Sequence, residues 1–225
     1  MIGQAIGEVL AFGVGIALSP LAIVALVVML VAPAGARPAW TFLGAWVLSL
    51  CSLSTLVLLL ADGADASENG APATWVNVVK VIVGLLLVVF AVREWHGRAT
   101  AEREADGPGW MRKLDNITVP KAAGLAALFV AKPKNLLLTI GAGVAVAEVG
   151  ASPAGQAVAV AVLVALGTGG LAIPLSIHVF MPNRGRGLLI GLRDWMVDEN
   201  ATIIAVLCLI IAAKLLGDAL ISLTS

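Results

Sequence analysis

Lys132-Pro133-Lys134-Asn135 sits in the middle of an apolar stretch, with two ammonium groups close together at membrane depth. A lysine at the centre of a transmembrane helix costs about 2.5–3.5 kcal/mol even on the lenient insertion scale, so two of them call for compensating partners. Ser19-Pro20 holds the matching place in the first apolar stretch. Proline removes a backbone hydrogen bond and suits the first position of a helix, and serine before it is a favoured N-cap. Each proline is therefore expected to break its helix and start another. The new N-terminus carries free N–H groups and the positive end of the helix dipole, a combination that binds anions. Ser19, Pro20, Lys132, Pro133, Lys134 and Asn135 are thus the candidate substrate-binding residues. Glu8, Asp62, Glu148 and Asp218 fall toward the far ends of their helices, so no carboxylate is expected at the depth of the lysines. The counter-charge is then the substrate, or else water and carbonyls in a cavity. On the first of these, Lys134→Ala weakens binding and leaves the fold intact; a lysine snorkelling along a kinked helix is the structural alternative.

The remaining polar residues offer less. Cys51 and Cys208 stand alone in apolar runs, which excludes a metal site or a redox pair built on them and makes both packing residues. His178 reads as a packing or interfacial side chain. Lys214 and Asp218 are four residues apart on one helix, an ion-pair spacing and a candidate gating pair. No nucleophile with its base, acid pair or metal cluster assembles at one depth, so an enzyme is not expected. Nor does the chain show a cofactor or nucleotide-binding motif.

These residues need a membrane scaffold to position them. Of the 225 residues 60% are hydrophobic and 12% charged, the formal net charge is zero, and mean hydropathy is +1.02. Such a composition belongs to a membrane protein and excludes a polyanion-binding role. Apolar segments at 4–31, 39–61, 76–95, 119–147, 153–180 and 200–222 are each near or above the ~20 residues that cross a bilayer. They lack the alternation of barrel strands and are expected to be helices. Three helices precede and three follow the loop at 96–118, and an odd number per half inverts the second half relative to the first. The expected fold is all-α: one transmembrane domain over 1–225, with a first repeat at 1–95 and a second at 119–225, helices one and four being broken at proline. Paired broken helices in inverted repeats mark a transport site near the midplane.

Arg37, Arg98, Arg103, Arg112, Lys113, Arg184, Arg186 and Arg193 gather in the loops on one side. The positive-inside rule makes that side cytoplasmic and puts both termini outside. The first segment has no basic n-region, and it reads as a retained helix. Trp110, Leu114 and Ile117, like Leu188, Leu192 and Trp195, recur at helical spacing between basic residues, as in amphipathic helices of the headgroup layer. A lipid-handling or partner-docking role is the alternative to simple anchoring.

The chain resembles the glycopeptidolipid-addressing protein family, also described as sulfolipid-addressing proteins, of the lysine exporter superfamily. The likeness spans nearly the whole chain. It is carried by Leu18-Ser19-Pro20-Leu21, by Val119-Pro120, by Lys132-Pro133-Lys134-Asn135-Leu136-Leu137-Leu138, by Asp194-Trp195-Met196 and by Leu215-Leu216-Gly217-Asp218. The family usually has asparagine where this chain has Lys132. The resemblance implies a lysine-exporter-like six-helix fold in a bacterial cytoplasmic membrane and a role in moving glycolipids or related envelope lipids toward the surface. On this basis the expected function is a transporter or flippase for a lipid with an anionic or polar head. The alternatives are a small-molecule exporter for an amino acid or anion, and a non-transporting scaffold for envelope-lipid synthesis proteins. The expected partners are the lipid substrate, the bilayer and a second copy of the chain.

Overall fold

The structure is a computed structural model that describes residues 2–32, 36–64, 67–68, 71–101, 114, 117–181 and 184–224. Among these, nine helices carry the fold: α1 (Ile2–Ala17), α2 (Pro20–Val31), α3 (Arg37–Gly63), α4 (Thr74–Ala101), α5 (Val119–Val130), α6 (Pro133–Glu148), α7 (Pro153–Phe180), α8 (Gly185–Asp198) and α9 (Asn200–Thr224). A two-residue ladder of β1 (Ser67–Glu68) and β2 (Ala71–Pro72) lies between α3 and α4. α3, α4, α7 and α9 are each long and apolar enough to cross a membrane, while α1 with α2 and α5 with α6 qualify only as pairs, bent by 53° and 61°. The chain is therefore a multi-pass membrane protein, with four such helices among the described residues, or up to six spans if each bent pair is one.

Local chemistry sets these boundaries. Proline occupies the first turn of α2, α3, α5, α6 and α7, where its missing N–H is not needed. Pro174 is different, since α7 continues through it. The amphipathic reading of 96–118 falls largely outside the described residues, and α4 itself runs on to Ala101. The second such segment is α8, which buries Leu189 and Met196 and exposes Leu188 and Trp195.

Three polar contacts gather one set of helix ends. Gln156 donates to Asp62 (3.0 Å) between α7 and α3, Lys80 of α4 pairs with Glu148 of α6, and Lys214 of α9 pairs with Glu8 of α1 and with Asp218, both at 2.8 Å. We call this end of the molecule the acidic face. The opposite, basic face carries Arg37, Arg93, Arg184, Arg186 and Arg193 at the ends of α3, α4, α7 and on α8.

Burial is concentrated on the two helices that follow the breaks. In α2 every residue from Ala22 to Leu30 is buried, and in α6 every residue from Gly141 to Ala147. A helix apolar all round has no face for water and becomes core. Close approach relies on glycine: a Cβ on Gly141 would lie 2.7 Å from the Phe12 ring, and one on Gly143 2.6 Å from Val57. Small residues of this kind let membrane helices pack backbone to backbone.

Candidate functional site

α1 stops inside the protein, where its last carbonyls find no water and need partners from elsewhere. The sequence supplies one for Val14, Gly15, Ile16 and Leu18. Val14 O accepts from the Leu18 amide at 3.1 Å, and Ile16 O accepts from Ser19 Oγ at 2.7 Å. Lys134 Nζ, reaching across from α6, donates to Gly15 O at 2.8 Å and to Leu18 O at 3.0 Å. Ala17 O lies so close to Gly170 of α7 that a Cβ there would stand 2.0 Å from it. At the other break, Asn135 Nδ2 donates to Phe129 O of α5 at 3.0 Å, and Ser19 Oγ lies 3.1 Å from Asn135 Oδ1, so the two breaks touch.

Two expectations change here. Ser19 is the N-cap residue of α2 but makes no side-chain cap bond to it; its hydroxyl turns back to the end of α1. Lys134 is buried with its ammonium on two carbonyls, so its charge is met by the negative end of the α1 dipole and not left unpaired. Of the counter-charges considered from sequence, carbonyls are the ones Lys134 has.

Gly170 follows from the same accounting. Gly170→Ala is expected to lower stability by about 1–3 kcal/mol or more, because the Cβ meets backbone that cannot rotate away. Gly169→Ala meets nothing within 4 Å and is expected to leave the melting temperature in detergent unchanged. Equal melting temperatures for the two variants would remove the close contact as an explanation.

The first turns of α2 and α6 open on one cavity of about 250 Å³ in the half of the molecule toward the basic face. Ser19, Pro20 and Leu21 line it from one break, and Lys132, Pro133, Lys134 and Asn135 from the other. Pro20 and Pro133 bring no N–H and Ala22 N donates to Ser19 O, but the amides of Leu21, Lys134 and Asn135 in these first turns have no acceptor within their own helices, so two positive helix ends meet at one space. Lys132 Nζ lies 4.1 Å from the centroid of the Phe129 ring, a cation–π contact. Phe90 of α4, Phe129 and Ile204 of α9 make the rest largely apolar.

All six residues singled out from sequence at the breaks thus line a single cavity. Glu94 of α4 lines it too, and its charge opposes that of Lys132. This corrects the expectation that no carboxylate stands at the depth of the lysines. Its only sequence signal was an acid in the otherwise basic end of the third apolar run, beside Arg93. Lys214 and Asp218 are not in the cavity. They form their i,i+4 pair on the acidic face, and Glu8, which sequence spacing did not connect to them, completes a triad.

The comparisons with known proteins bear on this geometry. A family model described as Sap, sulfolipid-1-addressing protein, matches residues 9–221. The chain belongs to this family. The sulfolipid-1-addressing match takes in both breaks, the whole cavity lining and the Lys214–Asp218 pair. Membership of the Sap family carries with it a membrane-associated function in lipid addressing. No curated protein and no solved structure matches the chain.

Proposed function

We propose that this protein is a transporter of an envelope lipid with an anionic or polar head, and not an enzyme. The head would be held in the cavity between the two breaks. The observation that carries this is the convergence of two helix N-termini and Lys132 on one largely apolar space, in a chain of a lipid-addressing family. Positive helix ends and a cation attract a phosphate or sulfate; apolar walls tolerate the lipid attached to it. A volume of about 250 Å³ is below the 300–1,000 Å³ usual for a drug-sized ligand, and suits a head group with its chains left outside.

In this reading each bent pair is one span and the six spans form two inverted halves of three, with α2 and α6 as counterparts. The basic face is cytoplasmic by the positive-inside rule, in a bacterial inner membrane with both termini outside. The ion pairs of the acidic face, including Lys214–Asp218, then close the outer side while the cavity serves the inner one. A cysteine at Thr224 is expected to react with an impermeant maleimide added outside, and one at Arg184 is not; the reverse pattern overturns the orientation.

Lys132 is the cation that the cavity can spare, because Lys134 is committed to α1. Lys132→Ala is expected to weaken binding of a fluorescent phosphatidylglycerol about 10- to 100-fold, the value of one charge-assisted hydrogen bond. Glu94→Gln removes the competing carboxylate and is expected to tighten it. A second reading has one observation in its favour: Lys132 and Glu94 together also match a zwitterion, as in an amino-acid exporter. Free amino acids that compete for the site, with no binding of phosphatidylglycerol, would favour that reading. Unchanged lipid binding in both variants would overturn the cavity as the head-group site.

A further inference from the structure

A second concavity lies on the lipid-facing side of the molecule, between α3 and α7, with a volume of about 770 Å³. Its lining runs from Leu59 and Gln156 near the acidic face to Val47 and Thr168 near the middle of both helices. At 1.5 Å per residue the twelve steps from Val47 to Leu59 span ~18 Å. That is close to one leaflet of a hydrocarbon core ~30 Å thick. We propose that this groove holds one acyl chain of a lipid in the leaflet on the acidic side, and so is a second lipid station of the transporter proposed above, on which this inference rests.

Three observations select a chain as occupant. First, the groove begins at a polar mouth, where Gln156 donates to Asp62, and ends at mid-depth. An acyl chain hangs from a polar head and stops at the midplane, whereas a packed helix has no reason to stop there. Second, Ala157, Ala161 and Ala165 repeat every four residues on the α7 wall, so a line of small side chains runs the length of the groove opposite Val47, Cys51, Leu58 and Leu59 of α3. Third, the inner end lies level with the first site: Thr168 is two residues along α7 from Gly170, which touches the end of α1 at Ala17 on the other side of the helix. The width of α7 separates the groove from the break that lines the cavity.

The test uses the full chain in nanodiscs containing a phosphatidylglycerol with a diazirine at the end of one acyl chain. After irradiation, adducts are expected to concentrate on Val47, Cys51, Val164 and Thr168. They should be at least fivefold denser there than on the exposed Leu85 and Val89 of α4. Ala161→Trp fills the groove from an exposed position and is expected to remove the groove adducts while sparing those on α4. An even spread of adducts, or their survival in Ala161→Trp, overturns the proposal. So does efficient oxidative Cys51–Cys51 dimerisation, because Cys51 lines the groove and a second copy seated there would bring the two thiols together. Lys132→Ala should leave the groove adducts in place. Loss of head-group binding with adducts retained therefore speaks to the cavity, and loss of adducts with head-group binding retained speaks to the groove.

Discussion

Replacement of Lys134 by alanine is expected to destabilise the protein by about 2–5 kcal/mol, more than any other single change at the two breaks. The opposing terms can be ranked. Removing a buried ammonium relieves its desolvation, and for an unpaired lysine that relief would dominate. Here the ammonium donates to Gly15 O and Leu18 O at 2.8 and 3.0 Å. Charge-assisted bonds contribute about 1.5–3 kcal/mol each, and each buried carbonyl left without a donor costs about 1–3 kcal/mol. In lipid, water does not replace the donor. The loss should show as a lower unfolding midpoint in detergent, with hydrogen exchange accelerated along α1. Lys132→Ala is the control. Its ammonium rests on the Phe129 ring, so stability should change by only about 1 kcal/mol while lipid binding falls. Wild-type stability in Lys134→Ala would mean that α1 is not capped from α6.

The Lys80–Glu148 pair should produce the second large effect. Lys80 is 6% exposed and Glu148 19%, and together they join α4 to α6. Lys80→Ala leaves a half-buried carboxylate without its partner, at an expected cost of about 2–4 kcal/mol, below the ~3–5 kcal/mol of a fully buried pair. The double variant Lys80→Met with Glu148→Leu removes both charges, and is expected to match or exceed wild type, because apolar packing often replaces a buried pair at no loss. Lys214→Ala should be milder, since Lys214, Glu8 and Asp218 are 30–37% exposed and exposed pairs contribute about 0–1 kcal/mol. Chemical unfolding in mixed micelles gives all three. A double variant as unstable as Lys80→Ala would show that the pair contributes specific attraction beyond avoiding an orphan charge.

Much of this architecture could be read from residue order. The apolar runs at 39–61, 153–180 and 200–222 correspond to α3, α7 and α9 within a few residues, because a bilayer-length helix is set by composition. Ser19-Pro20 and Lys132-Pro133 mark the bends for an equally local reason, the missing proline N–H. Partners across the fold were less legible. Glu94 is 38 residues from Lys132 and shares its cavity only because α4 packs beside the bent α5–α6 pair. Glu8 meets Lys214 from the other end of the chain. For Lys134 the sequence showed a buried charge, and the bend of α1 determined that carbonyls receive it.

Biogenesis inherits a constraint from that last contact. The carbonyl of Leu18 waits for a donor 116 residues later. At about 5–20 residues per second, ~6–23 s of synthesis separate the two. During that interval the first hairpin of the nascent chain stands in the bilayer with the end of α1 unfinished, and retaining it falls to the insertion machinery or to lipid head groups drawn inward. A ribosome stalled before Lys134 should therefore release a first half that quality-control proteases recognise, whereas one stalled soon after α6 has emerged should hold a fragment already closed at both breaks.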